Sequence, residues 1–250
     1  MTYRLGEIEF INYIPLFNLK ADFPFANSIF RACPRDLNAA CRRGELDISP
    51  ISFFAYADLE NRYELLPNFC IASDGAVLSV RLFSKCDIAS LEGKKIFLTG
   101  QSESSIGAFC AVCRHRFGFN PRDFQSPDRR GCDALFLIGD EALSYKSDFP
   151  FDYDLGLLWK ETFKVPMVYS AIVAKREIFG DVGEKLAQFF DKNLENFFAN
   201  REHFYGIAKA AVKSDNFDIN AAKEYYDKLI YKISDSAFAK TRDILHGKFA

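Results

Sequence analysis

The chain has 250 residues, 32 basic and 34 acidic, for a net charge of −2, and 49% of its residues are hydrophobic. That length holds one large domain or two modest lobes, either with a proper core. Charge near neutrality, with the basic pairs Arg42-Arg43, Lys94-Lys95 and Arg129-Arg130 scattered, excludes a nucleic-acid partner, which needs clustered positive surface.

No run of about eighteen apolar residues occurs, so no membrane span is expected. The first ten residues carry Glu7 and Glu9 and no long apolar core. They do not resemble an export signal, and the expected compartment is the cytoplasm. Seven cysteines at irregular spacing argue against a disulfide framework and for reduced thiols.

Residues 7–11 read as a short strand running into a loop at Asn12. Residues 34–43 read as a helix with Pro34 in its first turn and Leu37, Ala40 and Cys41 on one face. Gly44 stops it, and 46–48 form a second strand that ends at Ser49-Pro50-Ile51-Ser52. Strand, helix, strand is a βαβ unit. It implies a parallel sheet with ligands at the carboxyl ends of its strands, where Asn12 and Ser49 fall.

An apolar run over 77–83 follows Ser73-Asp74-Gly75. Residues 95–99 form a further strand, running through Gly100-Gln101 into Ser102-Glu103-Ser104-Ser105 and a helix to Phe117. Cys110 and Cys113 lie inside that helix, without a second pair, and read as core. Residues 133–138 form another strand, ending at Gly139-Asp140, and 165–175 another. Helices are expected over 182–204 and 219–245, from apolar pairs at helical spacing. The runs 77–83 and 168–174 bracket the central segment as crossing strands. The expected fold is therefore α/β and two-lobed, with an outer lobe of 1–83 and 171–250 and an inserted lobe of 84–170. A central cleft lies between them, with the crossing strands as hinge.

Amides and hydroxyls collect at the predicted strand ends, turns and crossings: Asn12, Ser49, Ser52, Ser73, Ser79, Thr99, Ser102, Ser104 and Ser105. The start of the helix at 102–105 suits an anion, or else Ser102 simply caps its own helix. No Gly-Lys-Ser/Thr follows, so nucleotide phosphate is not expected. His115, His203 and His246 fall on predicted helices among charged residues and read as solvated surface. No His/Cys cluster has metal-ligand spacing, so no metal is expected. No Gly-x-Ser-x-Gly elbow occurs. Asp140 is either a cap or a ligand-binding acid. A carboxylate-binding cleft without a base suits a pure binding protein or a reaction in which the substrate supplies its own base.

The run from Gly6 to Leu16, GEIEFINYIPL, resembles the opening of the chorismate dehydratases of the futalosine route to menaquinone. Further matches follow in order: Gly44-Glu45-Leu46-Asp47-Ile48-Ser49-Pro50-Ile51-Ser52, Asp74-Gly75-Ala76-Val77-Leu78-Ser79, the serines from 102 to 105, Ile138-Gly139-Asp140-Glu141-Ala142-Leu143, and Asp154-Leu155-Gly156 with Trp159. The resemblance implies a type II periplasmic-binding-protein-like fold and removal of water from chorismate to give 3-[(1-carboxyvinyl)oxy]benzoate, with no cofactor. It places the catalytic amide and hydroxyl on Asn12 and Ser79. Ser49, Ser52, Thr99, Ser102, Ser104, Ser105 and Asp140 become substrate-binding candidates. Tyr13, Ser104 and Phe163-Lys164 depart from the family pattern and are expected to reshape the cleft rim. A solute-binding protein of the same shape and a dihydroxynaphthoate-synthase-like enzyme are the alternatives. A regulatory domain would need a DNA-binding module for which the chain has no room.

Overall fold

The computed structural model describes residues 2–25 and 27–247, with Asn27 described by its backbone alone. The strands sort into two sheets, separated at the connections 74–79 and 155–166. Chain order begins with β1 (Tyr3–Glu7), β2 (Asn27–Arg31), α1 (Pro34–Arg42), β3 (Ile48–Ser52), α2 (Tyr56–Leu59) and β4 (Tyr63–Ser73). A middle section follows: β5 (Val80–Ser84), β6 (Ile96–Leu98), α3 (Glu103–Phe117), β7 (Gln125–Ser126), β8 (Ala134–Ile138), α4 (Gly139–Ser144), β9 (Phe151–Asp154) and α5 (Leu155–Phe163). The last section holds β10 (Met167–Lys175), α6 (Arg176–Ala199), α7 (Arg201–Val212), α8 (Ile219–Lys228), β11 (Ile230–Lys232) and α9 (Asp235–Leu245).

The first sheet runs β11-β4-β10-β3-β1-β2 and the second β7-β6-β8-β5-β9. The expected βαβ unit is present: β1 and β3 are parallel, joined through α1. The second sheet repeats it, with β6 and β8 parallel across α3. β10 inserts antiparallel between β3 and β4, and β5 antiparallel between β8 and β9.

Local chemistry accounts for the helix limits. α1 begins at Pro34, whose missing N–H would be unpaired there in any case, and buries Leu37, Ala40 and Cys41. α3 is capped by Ser102, whose side chain accepts from the Ser105 N–H, and ends at Gly118 in a left-handed conformation (φ +80°). One large core unites both sheets. A small cluster of Phe83, Cys132, Leu135, Leu137 and Ala142 covers the far face of the second sheet. All seven cysteines are free thiols, and Cys110 and Cys113 are buried in α3. Among the described residues no helix is long and apolar enough to cross a membrane.

Several elements differ from the sequence reading. The first strand is Tyr3–Glu7 rather than 7–11, and Asn12 sits in a 3-10 turn, Ile11–Tyr13. The strand expected over 46–48 is Ile48–Ser52, an inner strand between β10 and β1 that is buried at every position, so Ser49 lies inside it. The expected helix over 182–204 is two helices that part at Asn200, whose backbone leaves the helical region (φ −126°, ψ 35°). The expected helix over 219–245 is interrupted by β11, which pairs with Ala72 and Phe69 of β4. Three residues of edge strand carry no periodicity that a sequence could display. The strand Val80–Ser84, of which 80–83 were expected in the outer lobe, pairs only within the second sheet. His246 is not solvated surface: it is half-buried and stacks on Phe54, with centroids 5.3 Å apart.

Candidate functional site

A narrow cavity of about 40 Å³ lies between the sheets. Asn12, Ser52, Ser79, Ser102 and Ser105 line it together with Tyr13, Tyr169, Ser170 and a set of apolar residues. No lining side chain carries a formal charge at neutral pH, since Tyr13 and Tyr169 are held protonated by burial.

Asn12 is delivered by the Ile11–Tyr13 turn. The residue just before it, Ile11, is held at both of its backbone polar groups. The Ile11 N–H donates to Asp140 Oδ1 (3.3 Å), and the Tyr226 hydroxyl donates to the Ile11 carbonyl (2.8 Å). The Asn12 Oδ1 itself is buried and makes no hydrogen bond, and the same holds for the Ser52 hydroxyl. A buried acceptor left unpaired costs about 1–3 kcal/mol, so these two atoms mark places where a ligand has polar work to do.

Ser79 is delivered differently. The Ser79 N–H donates to the Val77 carbonyl (2.7 Å), closing a γ-turn about Leu78, which has φ +62°. Left-handed leucine is strained by about 1–2 kcal/mol. The turn is held by the Asp154 carboxylate, which accepts from Val77 N (3.1 Å), Leu78 N (2.6 Å) and Leu157 N (3.1 Å). Burial raises the Asp154 carboxyl above its ordinary range, against the pull of those N–H donors. The Ser79 Oγ accepts from the Tyr225 hydroxyl (3.1 Å).

The remaining candidates divide. Ser102 lines the cavity while capping α3 through Ser105 N (3.3 Å), so the two roles proposed for it coincide. Ser104 turns away: its Oγ accepts from Phe54 N (2.9 Å) and ties α3 to the first sheet. Ser49 donates to the Pro50 carbonyl inside β3, and Thr99 Oγ1 accepts from the Gln101 N–H. Neither lines the cavity. Nor does Asp140, which sits in the first turn of α4 with its carboxyl on the Ile11 N–H; burial pushes that carboxyl up to about 6. Ser73 bonds the Gly75 carbonyl and the Tyr169 hydroxyl.

Tyr13 is a wall rather than a rim residue, 3% exposed, with its hydroxyl 2.6 Å from Ser170 Oγ. Phe163 packs on Trp159, and Lys164 ends α5 in a left-handed conformation; neither lines the cavity. Sequence reasoning missed Ser170, Tyr169, Tyr225 and Tyr226, and gave Asp154 no role. Only Asp154 carried a signal, as part of the Asp154-Leu155-Gly156 match. Among the described residues, no group of three or more His, Cys, Asp or Glu is placed to hold a metal.

Solved structures of low identity share the fold. A protein of Archaeoglobus fulgidus aligns with a TM-score of 0.76 at 19% identity, over 99% of this chain and 97% of that one. A Candida albicans gene product, described as having the generic periplasmic binding protein fold, aligns at 0.64 and 13% identity, over 100% and 91%. The alkanesulfonate-binding protein SsuA of Xanthomonas axonopodis, bound to MOPS, aligns at 0.65 and 13%, over 99% and 92%. The architecture is thus the two-lobed periplasmic-binding-protein fold. In sequence, a chorismate dehydratase of Thermus thermophilus is 28% identical over 200 residues, 70% of each chain. The family model described as menaquinone biosynthesis matches residues 3–244, nearly the whole chain. With that span, the protein belongs to the menaquinone biosynthesis family.

Proposed function

We propose that the protein is a chorismate dehydratase, removing water from chorismate to give 3-[(1-carboxyvinyl)oxy]benzoate, and that it acts in the cytoplasm. The observation that carries the reading is that Asn12 and Ser79, 67 positions apart in the chain, line one uncharged cavity in a member of this family. The similarity to the Thermus thermophilus enzyme supports the same substrate.

The chemistry fits the wall. Loss of the ring C3 proton and the C4 hydroxyl turns the cyclohexadiene into a benzene ring, and the proton and hydroxyl leave as water. Aromatisation supplies the driving force, so the site needs chiefly to hold the geometry and exclude bulk water. No lining group is poised as a base near neutrality: the two lining tyrosines are held protonated. The substrate's own enolpyruvyl carboxylate takes the C3 proton. The Asn12 amide, whose oxygen is unpaired, accepts from the C4 hydroxyl or orients that carboxylate through its N–H. Ser79 donates to the departing hydroxyl, and Ser52, Ser102 and Ser105 supply further hydroxyls for the carboxylates. For the lobes, sheet membership supports 80–154 as the inserted unit, in place of 84–170.

The test is incubation with chorismate and no added cofactor, read by mass spectrometry for a product lighter by one water. Asn12→Ala and Ser79→Ala each lower turnover about 100-fold while the melting temperature holds. Tight binding of chorismate or another acid without any product would overturn the assignment in favour of a solute-binding protein.

A further inference from the structure

The two residues placed at the reacting centre are both tied to one short stretch far along the chain. Tyr225 and Tyr226 are consecutive on α8 and 1% and 2% exposed. Successive side chains on a helix diverge by about 100°, so neighbours reach different targets. Tyr225 reaches Ser79 Oγ, 146 positions earlier, and Tyr226 reaches the Ile11 carbonyl, 215 positions earlier. Asp140, bonded to the Ile11 N–H, lies close enough to act electrostatically on both phenols.

We propose that Tyr225 and Tyr226 are positioning residues, Tyr225 for the Ser79 hydroxyl and Tyr226 for the Asn12 amide. This rests on the reaction assigned above. A hydroxyl has one proton to give. The Tyr225 proton is committed to Ser79 Oγ, so the Ser79 proton is left over and is available to the cavity. Tyr225 thereby fixes Ser79 as a donor toward the ligand rather than an acceptor. On the other side, the two peptide units that flank the Ile11 Cα are each rigid and planar. Asp140 holds the N–H of the first and Tyr226 the carbonyl of the second, so rotation about the Ile11 Cα is restrained and the Asn12 Cα is set in place. Burial keeps both phenols protonated, which this arrangement requires. Ring packing holds the aromatic bodies independently of the hydroxyls: Tyr226 against Phe197 at 4.9 Å and against Tyr225 at 5.5 Å. Phenylalanine at either position therefore removes the bond and keeps the packing.

The experiment is a pair of double-mutant cycles, with steady-state kinetics on chorismate. Tyr225→Phe and Tyr226→Phe each lower kcat about 5- to 10-fold, the equivalent of one hydrogen bond, with KM within about twofold of wild type. Tyr225→Phe has no further effect in a Ser79→Ala background, and Tyr226→Phe none in Asn12→Ala. Additive losses, or single variants as fast as wild type, overturn the proposal. A second measurement needs no turnover. In crystal structures of the variants, Ser79 Oγ shifts in Tyr225→Phe while Asn12 stays, and Asn12 shifts in Tyr226→Phe while Ser79 stays. Both side chains unmoved also overturns it. Failure of the wild type to dehydrate chorismate would instead overturn the assigned reaction, and the crystallographic comparison would still decide the positioning roles.

Discussion

The two walls of the cavity solve the same problem by unequal means. On the Asn12 wall, a relaxed 3-10 turn carries the amide, and a single carboxyl and a single phenol grip the two backbone polar groups of the residue before it. On the Ser79 wall, the backbone is bent through a left-handed leucine, and one carboxylate takes two N–H groups to keep it there. The comparison teaches that the demand for an anchoring acid scales with backbone strain. Where φ is ordinary, one long hydrogen bond suffices. Where it is not, the acid is a hub, and it also caps the following helix, α5.

Removing the hub is the most damaging way to probe this difference. Asp154→Ala leaves the Val77 and Leu78 N–H groups without their acceptor, while the exposed Leu157 N–H passes to water, and costs about 2–6 kcal/mol, at 1–3 kcal/mol for each buried group left unpaired. Chemical denaturation measures it, and a loss below about 1 kcal/mol would mean that the Leu78 turn holds itself.

A smaller effect separates the walls by pH. The Asp140 carboxyl is pushed up to about 6 by burial, above its ordinary carboxylate value. The native state therefore binds the proton more tightly than the unfolded chain. Its contribution to stability is full below about pH 4 and is lost as pH rises through about 6. Asp140→Asn keeps an acceptor for the Ile11 N–H and removes this penalty. Relative to wild type the variant gains about 1–3 kcal/mol between pH 4 and pH 7, at 1.36 kcal/mol per pKa unit. Melting curves across that range check it, and parallel curves for the two proteins would remove the electrostatic account of that wall.

The smallest stability effect is expected at Leu78 itself. Leu78→Gly relieves about 1–2 kcal/mol of left-handed strain but adds chain entropy of about 0.5–1 kcal/mol, so net stability moves by less than about 1 kcal/mol. Turnover falls nonetheless, because the turn can then visit other conformations. Denaturation and kcat measured on the same sample separate the two, and unchanged kcat would show that strain at 78 has no part in presenting Ser79.

Much of the architecture was legible because it is local. Pro34, Gly44 and Ser102 punctuate helices wherever they occur in such contexts, and the first βαβ unit followed from the first two. Asn12 and Ser79 stood among the amides and hydroxyls at expected strand ends and crossings, and only the family resemblance singled them out from the rest. What stayed hidden was decided at long range. Tyr225 and Tyr226 look like an ordinary apolar stripe of a helix, and nothing near them announces partners 146 and 215 positions away. A left-handed conformation at Leu78 has no compositional sign, because leucine is not a turn residue; it exists only because Asp154 reaches across. Thr99 does follow directly on its strand, β6, but Ser49 does not end one. β3 runs on to Ser52, paired with β10, and the ladder holds Ser49 away from the cavity.

The unpaired Asn12 oxygen has a consequence for the end of the catalytic cycle. On the proposed reaction, substrate and product share two carboxylates and a six-membered ring and differ in the C4 hydroxyl. That hydroxyl is the one hydrogen-bond donor that chorismate itself brings to the Asn12 oxygen. Once it has departed as water and diffused away, the acceptor is stranded again, at a cost of about 1–3 kcal/mol. The aromatic product is thereby held about 5- to 150-fold more weakly than chorismate. A single amide oxygen left open in the empty cavity would thus guard the enzyme against inhibition by what it makes.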